Sequence, residues 1–186
     1  MNYPFIVFEG IDNSGKTTLS KALAAKYREF QWTKEPVFTT EQADRLNSPE
    51  YKDEAMREVL FLEGRLKQQS LYRNNPCFLD RYLWTGMAYA KAFSPSIFNF
   101  CVALYQDYNI FRKPSLTIFM ETPIETCQAR EPALTIDRLK TIRQAYADTE
   151  KYVNTPIAYI DGSRTQEECF EAAETVLRAH FPKYFI

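Results

Sequence analysis

Gly10, Gly15, Lys16 and Thr17 are the residues of this chain whose types and spacing most plainly do chemistry. They fit the pattern G-x-x-x-x-G-K-[ST], in which each part has a mechanical job. The glycines let the backbone curl so that its N–H groups point inward at phosphate oxygens. Lys16 can reach the β- and γ-phosphates, and the Thr17 hydroxyl can ligand Mg²⁺. Asn13, Ser14 and Thr18 belong to the same loop and are expected beside the phosphates. Phe5-Ile6-Val7-Phe8 is an apolar run of buried-strand type, and Thr18 to Tyr27 reads as helix. The loop therefore joins strand to helix, as an anion site at a helix N-terminus requires.

Three further groups fit the same chemistry. Asp80 closes the apolar run Cys77–Asp80, where a carboxylate can hold Mg²⁺ beside Thr17. Arg81 follows it, a guanidinium suited to bidentate phosphate binding. Phe61 and Arg65 are four apart in a helical segment and share a face. The ring can stack on a nucleobase while the guanidinium donates to base oxygens. That spacing also suits a core Phe with a snorkelling Arg, and it leaves both readings open. Gly64 between them is costly in a helix interior, which a close approach of ligand or backbone would explain. Finally, Arg130 and Arg138 flank Pro132, either as a mobile basic flap or as an ordinary connection between helices.

The elements that must position these residues are legible as periodicity. Strand-like runs lie at Phe5–Glu9, Cys77–Asp80, Leu116–Glu121 and Ile157–Asp161, with a weaker one at Phe30–Lys34. Helical patterns fall between them, at 16–30, 53–72, 85–93, 96–110, 123–129, 138–153 and 165–181. Alternation of this kind predicts an α/β fold: a parallel sheet of about five strands with helices on both faces. Ligands then bind at the carboxyl ends of the strands, where Glu9, Lys34-Glu35-Pro36, Asp80-Arg81-Tyr82 and Asp161-Gly162-Ser163 all stand.

Composition sets the bounds. The 186 residues suit one domain, 1–186, and 45% hydrophobic content argues against disorder. A net charge of −1 argues against a general nucleic-acid surface, though not against a small anion held by placed cations. Cys77, Cys101, Cys127 and Cys169 form no C-x-x-C pair and read as core thiols of a reducing compartment. No secretory leader is expected before Pro4, and no apolar run approaches membrane length. With a single histidine, His180, no His-based triad or metal cluster is available. A cytoplasmic protein is the expectation.

Taken in order, Phe8-Glu9-Gly10-Ile11-Asp12 through Thr18, Glu35-Pro36, Phe61 with Arg65, and Asp80-Arg81-Tyr82-Leu83-Trp84-Thr85-Gly86-Met87-Ala88-Tyr89 resemble the thymidylate kinases. So do Arg143-Gln144-Ala145-Tyr146 and Ile160-Asp161-Gly162-Ser163. The resemblance implies a P-loop NTPase fold with a short lid at about 130–138 and an acceptor-binding helix at 53–72. It implies transfer of the γ-phosphoryl of ATP to dTMP with Mg²⁺, in a homodimer, with no nucleic-acid or membrane partner. Carried over by position, Asp12 would hold the sugar 3′-hydroxyl, Phe61 would stack on thymine and Arg65 would donate to its O4. Arg81 would bind the acceptor phosphate, Tyr89 would lie under the deoxyribose, and Glu35, Pro36, Thr85 and Tyr146 would complete the acceptor site. Thr17 and Asp80 would hold the metal, and Asp161 to Arg164 would sit by the adenine. The chain departs from the family at Val37-Phe38-Thr39, where many relatives carry Gly-Gly-Thr, and at Lys34, where they often have Arg. Asn13 stands where one subgroup places a basic residue, so a cation over the phosphates is expected from Arg130 or Arg138. A kinase for a 5-modified deoxynucleotide, another deoxynucleotide or a deoxynucleoside stays open, as does a nucleotide-binding module without transfer.

Overall fold

The computed structural model describes residues 3–36, 38–72 and 74–185; Val37 lies outside the described residues. Five strands form the sheet: β1 (Phe5–Glu9), β2 (Gln31–Lys34), β3 (Cys77–Asp80), β4 (Leu116–Glu121) and β5 (Ile157–Asp161). All pairings are parallel, in the order β2-β3-β1-β4-β5. The chain leaves β1 for the edge at β2 and returns to β3, then crosses β1 to reach β4. The direction of winding reverses at β1, and a crevice opens at the carboxyl ends of the strands flanking that reversal. The register aligns those ends: Phe8 lies opposite Asp80 and Ile118, and Lys34 opposite Asp80.

Burial on both faces explains why β1, β3 and most of β4 read as continuous apolar runs rather than alternating ones, while the edge strands β2 and β5 are partly exposed. Phe5 and Val7 of β1 pack into one core with Leu79, Tyr82, Trp84, Met87 and Tyr146. Ile6 and Phe8 pack into the other with Leu19, Leu23, Phe78, Ile118 and Leu177. The first core is covered by α3 (Glu54–Gln68), α4 (Leu83–Phe93), α5 (Phe98–Tyr105) and α7 (Ile136–Thr149), the second by α1 (Lys16–Lys26) and α8 (Gln166–His180). All four cysteines are buried and free, as core thiols should be.

Several helices are shorter than their patterns. α1 stops at Lys26 because Tyr27 leaves helical geometry, and its ring packs edge-on against Phe185. The stretch at 96–110 yields only α5, and 53–72 becomes α3 followed by a 3-10 turn, Gln69–Tyr72. Thr135 starts α7 ahead of Arg138 by accepting from the Arg138 N–H. α2 (Thr40–Leu46) has no counterpart among the expected elements. Thr39 and Gln42 cap it reciprocally, a local signature that hydrophobic periodicity does not weigh. α6 (Ile124–Arg130) ends one residue before the loop that leads to α7. Among the described residues, no helix is long and apolar enough to cross a membrane.

Candidate active site

The loop between β1 and α1 has the geometry its sequence demands. Gly10 (φ 139°) and Gly15 (φ 101°) occupy backbone conformations that side chains resist, and a Cβ on Gly10 would lie 2.7 Å from the Met120 carbonyl. Lys16 curls over the loop, donating to the Ile11 carbonyl (2.6 Å) and Ser14 Oγ (3.1 Å). Burial pushes its ammonium down to about 7, the nearby charge of Arg81 adds to this, and Asp80, Asp12 and Glu9 oppose it. The Thr17 hydroxyl donates to Asp80 Oδ2, while Asp80 Oδ1 is buried with no partner. A cleft of about 610 Å³ opens above the loop, lined by Asn13 through Thr18 on one side and by Arg81, Arg130 and Arg164 on the others.

At the foot of this cleft Asp12 joins the loop to α4. Its Oδ1 pairs with Arg81 Nη2, and its Oδ2 accepts from the Tyr89 hydroxyl at 2.7 Å. Burial alone would raise the Asp12 carboxyl, but Arg81 and Tyr89 hold it below its ordinary value. Arg81 itself adopts φ 72°, which turns its side chain back over the loop, and its Nη1 is buried without a partner. The site thus carries one unpaired anionic oxygen and one unpaired cationic nitrogen, matching a cation and an anion respectively. Among the described residues no cluster of three or more His, Cys, Asp or Glu could hold a metal on its own. Thr17 Oγ1 and the unpartnered Asp80 Oδ1 are hard oxygen donors of the kind Mg²⁺ takes, one or two protein oxygens beside substrate phosphates.

The two lid arginines part company. Arg130, the last residue of α6, donates to the Asn13 carbonyl (2.9 Å) and the Gly162 carbonyl (3.2 Å), and so stands on the phosphate loop. Arg138 lies off the cleft: its guanidinium covers the Phe93 ring at 4.2 Å and approaches Glu54 at 4.0 Å. Arg164 lines the cleft, whereas the Asp161 carboxylate turns back to Ser163 N (3.0 Å) and Ser163 Oγ (2.6 Å).

Of the residues expected at the acceptor, Asp12 and Arg81 line the open cleft, whereas Glu35, Pro36, Phe61, Arg65, Thr85, Tyr89 and Tyr146 do not. Phe61 stacks on Phe38 with centroids 5.5 Å apart, and Pro36 presses on Gly64, where an added Cβ would meet it at 3.0 Å. A close approach of Pro36 and Phe38 thus accounts for the mid-helix glycine. Arg65 is 2% exposed, paired with Glu35 (3.2 Å) and Glu58 (2.8 Å). Burial pushes Glu35 up to about 8 and raises Glu58 too, in both cases against the Arg65 charge. Thr85 and Tyr146 close on Glu9: the Tyr146 hydroxyl lies 2.7 Å from Thr85 Oγ1 and 3.2 Å from Glu9 Oε2, and Thr85 Oγ1 donates to the same carboxylate. Burial raises Glu9, opposed by its bonds from Thr85 and by the charges of Arg81 and Lys16. Sequence reasoning assigned no role to Glu9, Glu58 or Tyr105. A glutamate closing an otherwise apolar strand was a readable signal for Glu9. Glu58 stands seven residues before Arg65 on the same face of α3, a readable spacing, whereas Tyr105 meets Arg65 only through tertiary packing.

Comparison with known proteins agrees with this geometry. A family model described as thymidylate kinase matches residues 8–172. A probable thymidylate kinase of Methanocaldococcus jannaschii is 31% identical over 161 residues, 81% of this chain and 83% of its own length. A thymidylate kinase of Leptospira interrogans is 29% identical over 94% of this chain and 96% of its own. Among solved structures, thymidylate kinase from Candida albicans superposes with a TM-score of 0.77 at 20% identity, covering 96% of this chain and 92% of that one. A deoxyadenosine kinase from M. mycoides gives 0.74 at 17% identity, over 93% and 98%. These two share the P-loop fold. With its phosphate loop, its Asp12–Arg81–Tyr89 group and a family match spanning nearly its whole length, the chain belongs to the thymidylate kinase family and is an enzyme of the nucleoside monophosphate kinase type.

Proposed function

We propose that this chain transfers the γ-phosphoryl group of ATP to the 5′-phosphate of dTMP, giving dTDP and ADP, as one catalytic domain that requires Mg²⁺. The observation that carries the reading is Asp12, which sits on the phosphate loop yet pairs with Arg81 and Tyr89 of the acceptor side. It ties the two phosphates to one rigid corner, and in-line phosphoryl transfer depends chiefly on positioning and charge neutralisation. Gly10 to Thr18 cradle the triphosphate, with Lys16 on the transferring group. Arg81 offers its unpartnered Nη1 to the acceptor phosphate. Arg130 covers the transferring phosphoryl from the far side of the loop, and Arg164 borders the adenine. Thr17 and Asp80 would hold Mg²⁺, which would supply charge neutralisation at the phosphates. Tyr89 lies under the deoxyribose, while Phe61 stacks on the base and Arg65 donates to it from below. A homodimer is also proposed, on the resemblance and on the exposed Met56, Val59 and Leu66 that share one side of α3.

The test is turnover of ATP with dTMP, dUMP, 5-modified deoxyuridylates and the matching deoxynucleosides, with and without Mg²⁺. The expected result is metal-dependent formation of dTDP, with dTMP preferred and nucleosides inert. A preference for thymidine over dTMP would make this a nucleoside kinase. Tight ATP binding with no transfer to any acceptor would make it a binding module.

A further inference from the structure

Arg65 is locked in place to a degree that its proposed role does not by itself require. Nε donates to Glu35 Oε2 at 3.2 Å. Nη1 donates to Glu58 Oε1 at 2.8 Å and to the Tyr105 hydroxyl at 2.6 Å. The Tyr105 hydroxyl in turn donates to the same Glu58 oxygen at 2.7 Å, which closes a triangle. The side chains of Arg65, Glu35 and Glu58 are 2%, 0% and 4% exposed, so water does not loosen these bonds. α4 seals the triangle from above. A Cβ on Gly86 would lie 2.6 Å from the Tyr105 ring and 2.8 Å from Arg65 Nη1.

A guanidinium is planar, so fixing Nε and Nη1 fixes the direction of Nη2 as well. No described residue accepts from Nη2, which leaves one N–H pair, aimed in one direction, for a ligand. Such a group can pair with a carbonyl oxygen. Against an exocyclic amine it faces donor to donor, with a buried N–H left unpaired on each side.

We propose that Glu58 and Tyr105 are positioning residues that aim Arg65 Nη2, so that the acceptor site takes a pyrimidine with a 4-oxygen and rejects one with a 4-amino group. The inference rests on the reading above that Arg65 faces the base. Glu35 holds the other end of the guanidinium but leaves its rotation about the Nε bond to the Glu58–Tyr105 pair. Without that pair the fork can turn aside, and an amino group is no longer opposed.

The test uses dUMP and dCMP, which differ on the ring at position 4 and share the absence of a 5-methyl group. In the wild type, kcat/KM for dUMP should exceed that for dCMP by roughly tenfold to a hundredfold, the range that one unpaired buried donor supports. Tyr105→Phe and Glu58→Gln should each shrink this ratio about fivefold or more. The change should appear in the acceptor KM, with the KM for ATP unmoved. Tyr105→Phe keeps the ring and every charge, so it stays informative if Glu58→Gln folds poorly. An unchanged ratio with a lowered melting temperature would make the triangle merely structural, and equal use of dUMP and dCMP by the wild type would also overturn the proposal. If the wild type turns over no pyrimidine monophosphate at all, the function proposed above is wrong and this inference goes with it. If dTMP is a good substrate and only the ratio fails to respond, the function stands and this inference alone is lost.

Discussion

The phosphate-loop wall of the cleft is made mostly of backbone, whereas the wall around Phe61 and Arg65 is made almost entirely of side chains. On the first, the curvature is set by positive φ at Gly10, Asn13, Gly15 and Arg81, and Arg130 is moored to carbonyl oxygens. On the second, a ring stacks on a ring and a guanidinium is clasped by two glutamate side chains and a phenol. A backbone cradle presents N–H dipoles in one fixed array and reads phosphate, which is common to every nucleotide. A side-chain wall can be re-cut one residue at a time, and it is where a choice among bases would be made. The contrast implies that changes on the first wall should act on the rate and changes on the second on acceptor choice.

The largest effect should come from Lys16→Ala. It removes the charge next to the transferring phosphoryl, and kcat should drop by about three orders of magnitude or more, with the fold intact by circular dichroism. Near wild-type turnover in a folded variant would remove the catalytic meaning of the loop. Next in size, Arg130→Ala should lower kcat by roughly 10²–10³-fold, the worth of one fixed donor to transition-state charge. Arg130→Lys should recover only part of it, since the planar fork that spans Asn13 and Gly162 is lost. Arg138→Ala should cost about tenfold or less, because that guanidinium is stacked on Phe93. If Arg138 proves the more damaging of the two, the lid must rearrange further than the docked position of Arg130 suggests.

On the second wall, Phe61→Ala should raise the Kd for dTMP by an amount equivalent to about 1–3 kcal/mol while leaving ATP binding nearly unchanged, as calorimetry can show. Phe38 sharpens the comparison. Its ring now lies on Phe61, in a contact worth about 0.5–1.5 kcal/mol beyond simple burial. A base that stacks on that face must displace it. Phe38→Gly should then tighten dTMP binding by a few-fold, opposite in sign to Phe61→Ala. Weaker binding in both variants would mean that the base lies between the two rings.

How much of this was legible in the sequence follows the same division. β1, β3, β4 and β5 have the bounds their apolar runs predict: β1 and β3 are buried along their whole length, and β4 and β5 end at the exposed carboxylates Glu121 and Asp161. The phosphate loop was legible because its geometry depends on glycine, lysine and threonine at fixed spacing, and Asp80 because it ends a strand facing that loop. The helix ends were less so: Tyr27 leaves α1 to fill a core position against Phe185, a partner far away in the sequence. The spacing of Phe61 and Arg65 left a base-facing and a snorkelling Arg65 both open, and the resemblance implied the first. Its clamp depends on Glu35, 30 residues back, Glu58, 7 residues back on the same helix face, and Tyr105, 40 residues on. Arg130 and Arg138 looked equivalent in sequence. Only the placement of Phe93 and of the Asn13 carbonyl separates them.

The smallest effect expected is on stability, and it tests whether the second wall is as dry as its geometry suggests. Burial holds Glu35 at about 8, far above its ordinary 4.5, and raises Glu58 and Glu9 in the same direction. Between pH 5 and 7 the folded chain therefore keeps protons that the unfolded chain has released. Stability depends on pH through the protons bound unfolded minus those bound folded, a negative difference here, so stability should decline as pH rises through this window. Lys16 has the opposite sign, because its ammonium is held down to about 7, but it acts only between about 7 and its ordinary 10.5. Asp12, held below its ordinary value, acts only at lower pH. The window from 5 to 7 thus isolates the buried acids. One fully retained proton corresponds to a slope of about 1.4 kcal/mol per pH unit, an upper limit for Glu35. Glu35→Gln keeps the shape and cannot titrate, so its denaturation midpoint should shift less between pH 5 and 7 than that of the wild type, whatever its absolute stability. A midpoint in the wild type that rises over this range, or a Glu35→Gln variant with an undiminished slope, would mean that water or rearrangement lets Glu35 ionise freely beside Arg65.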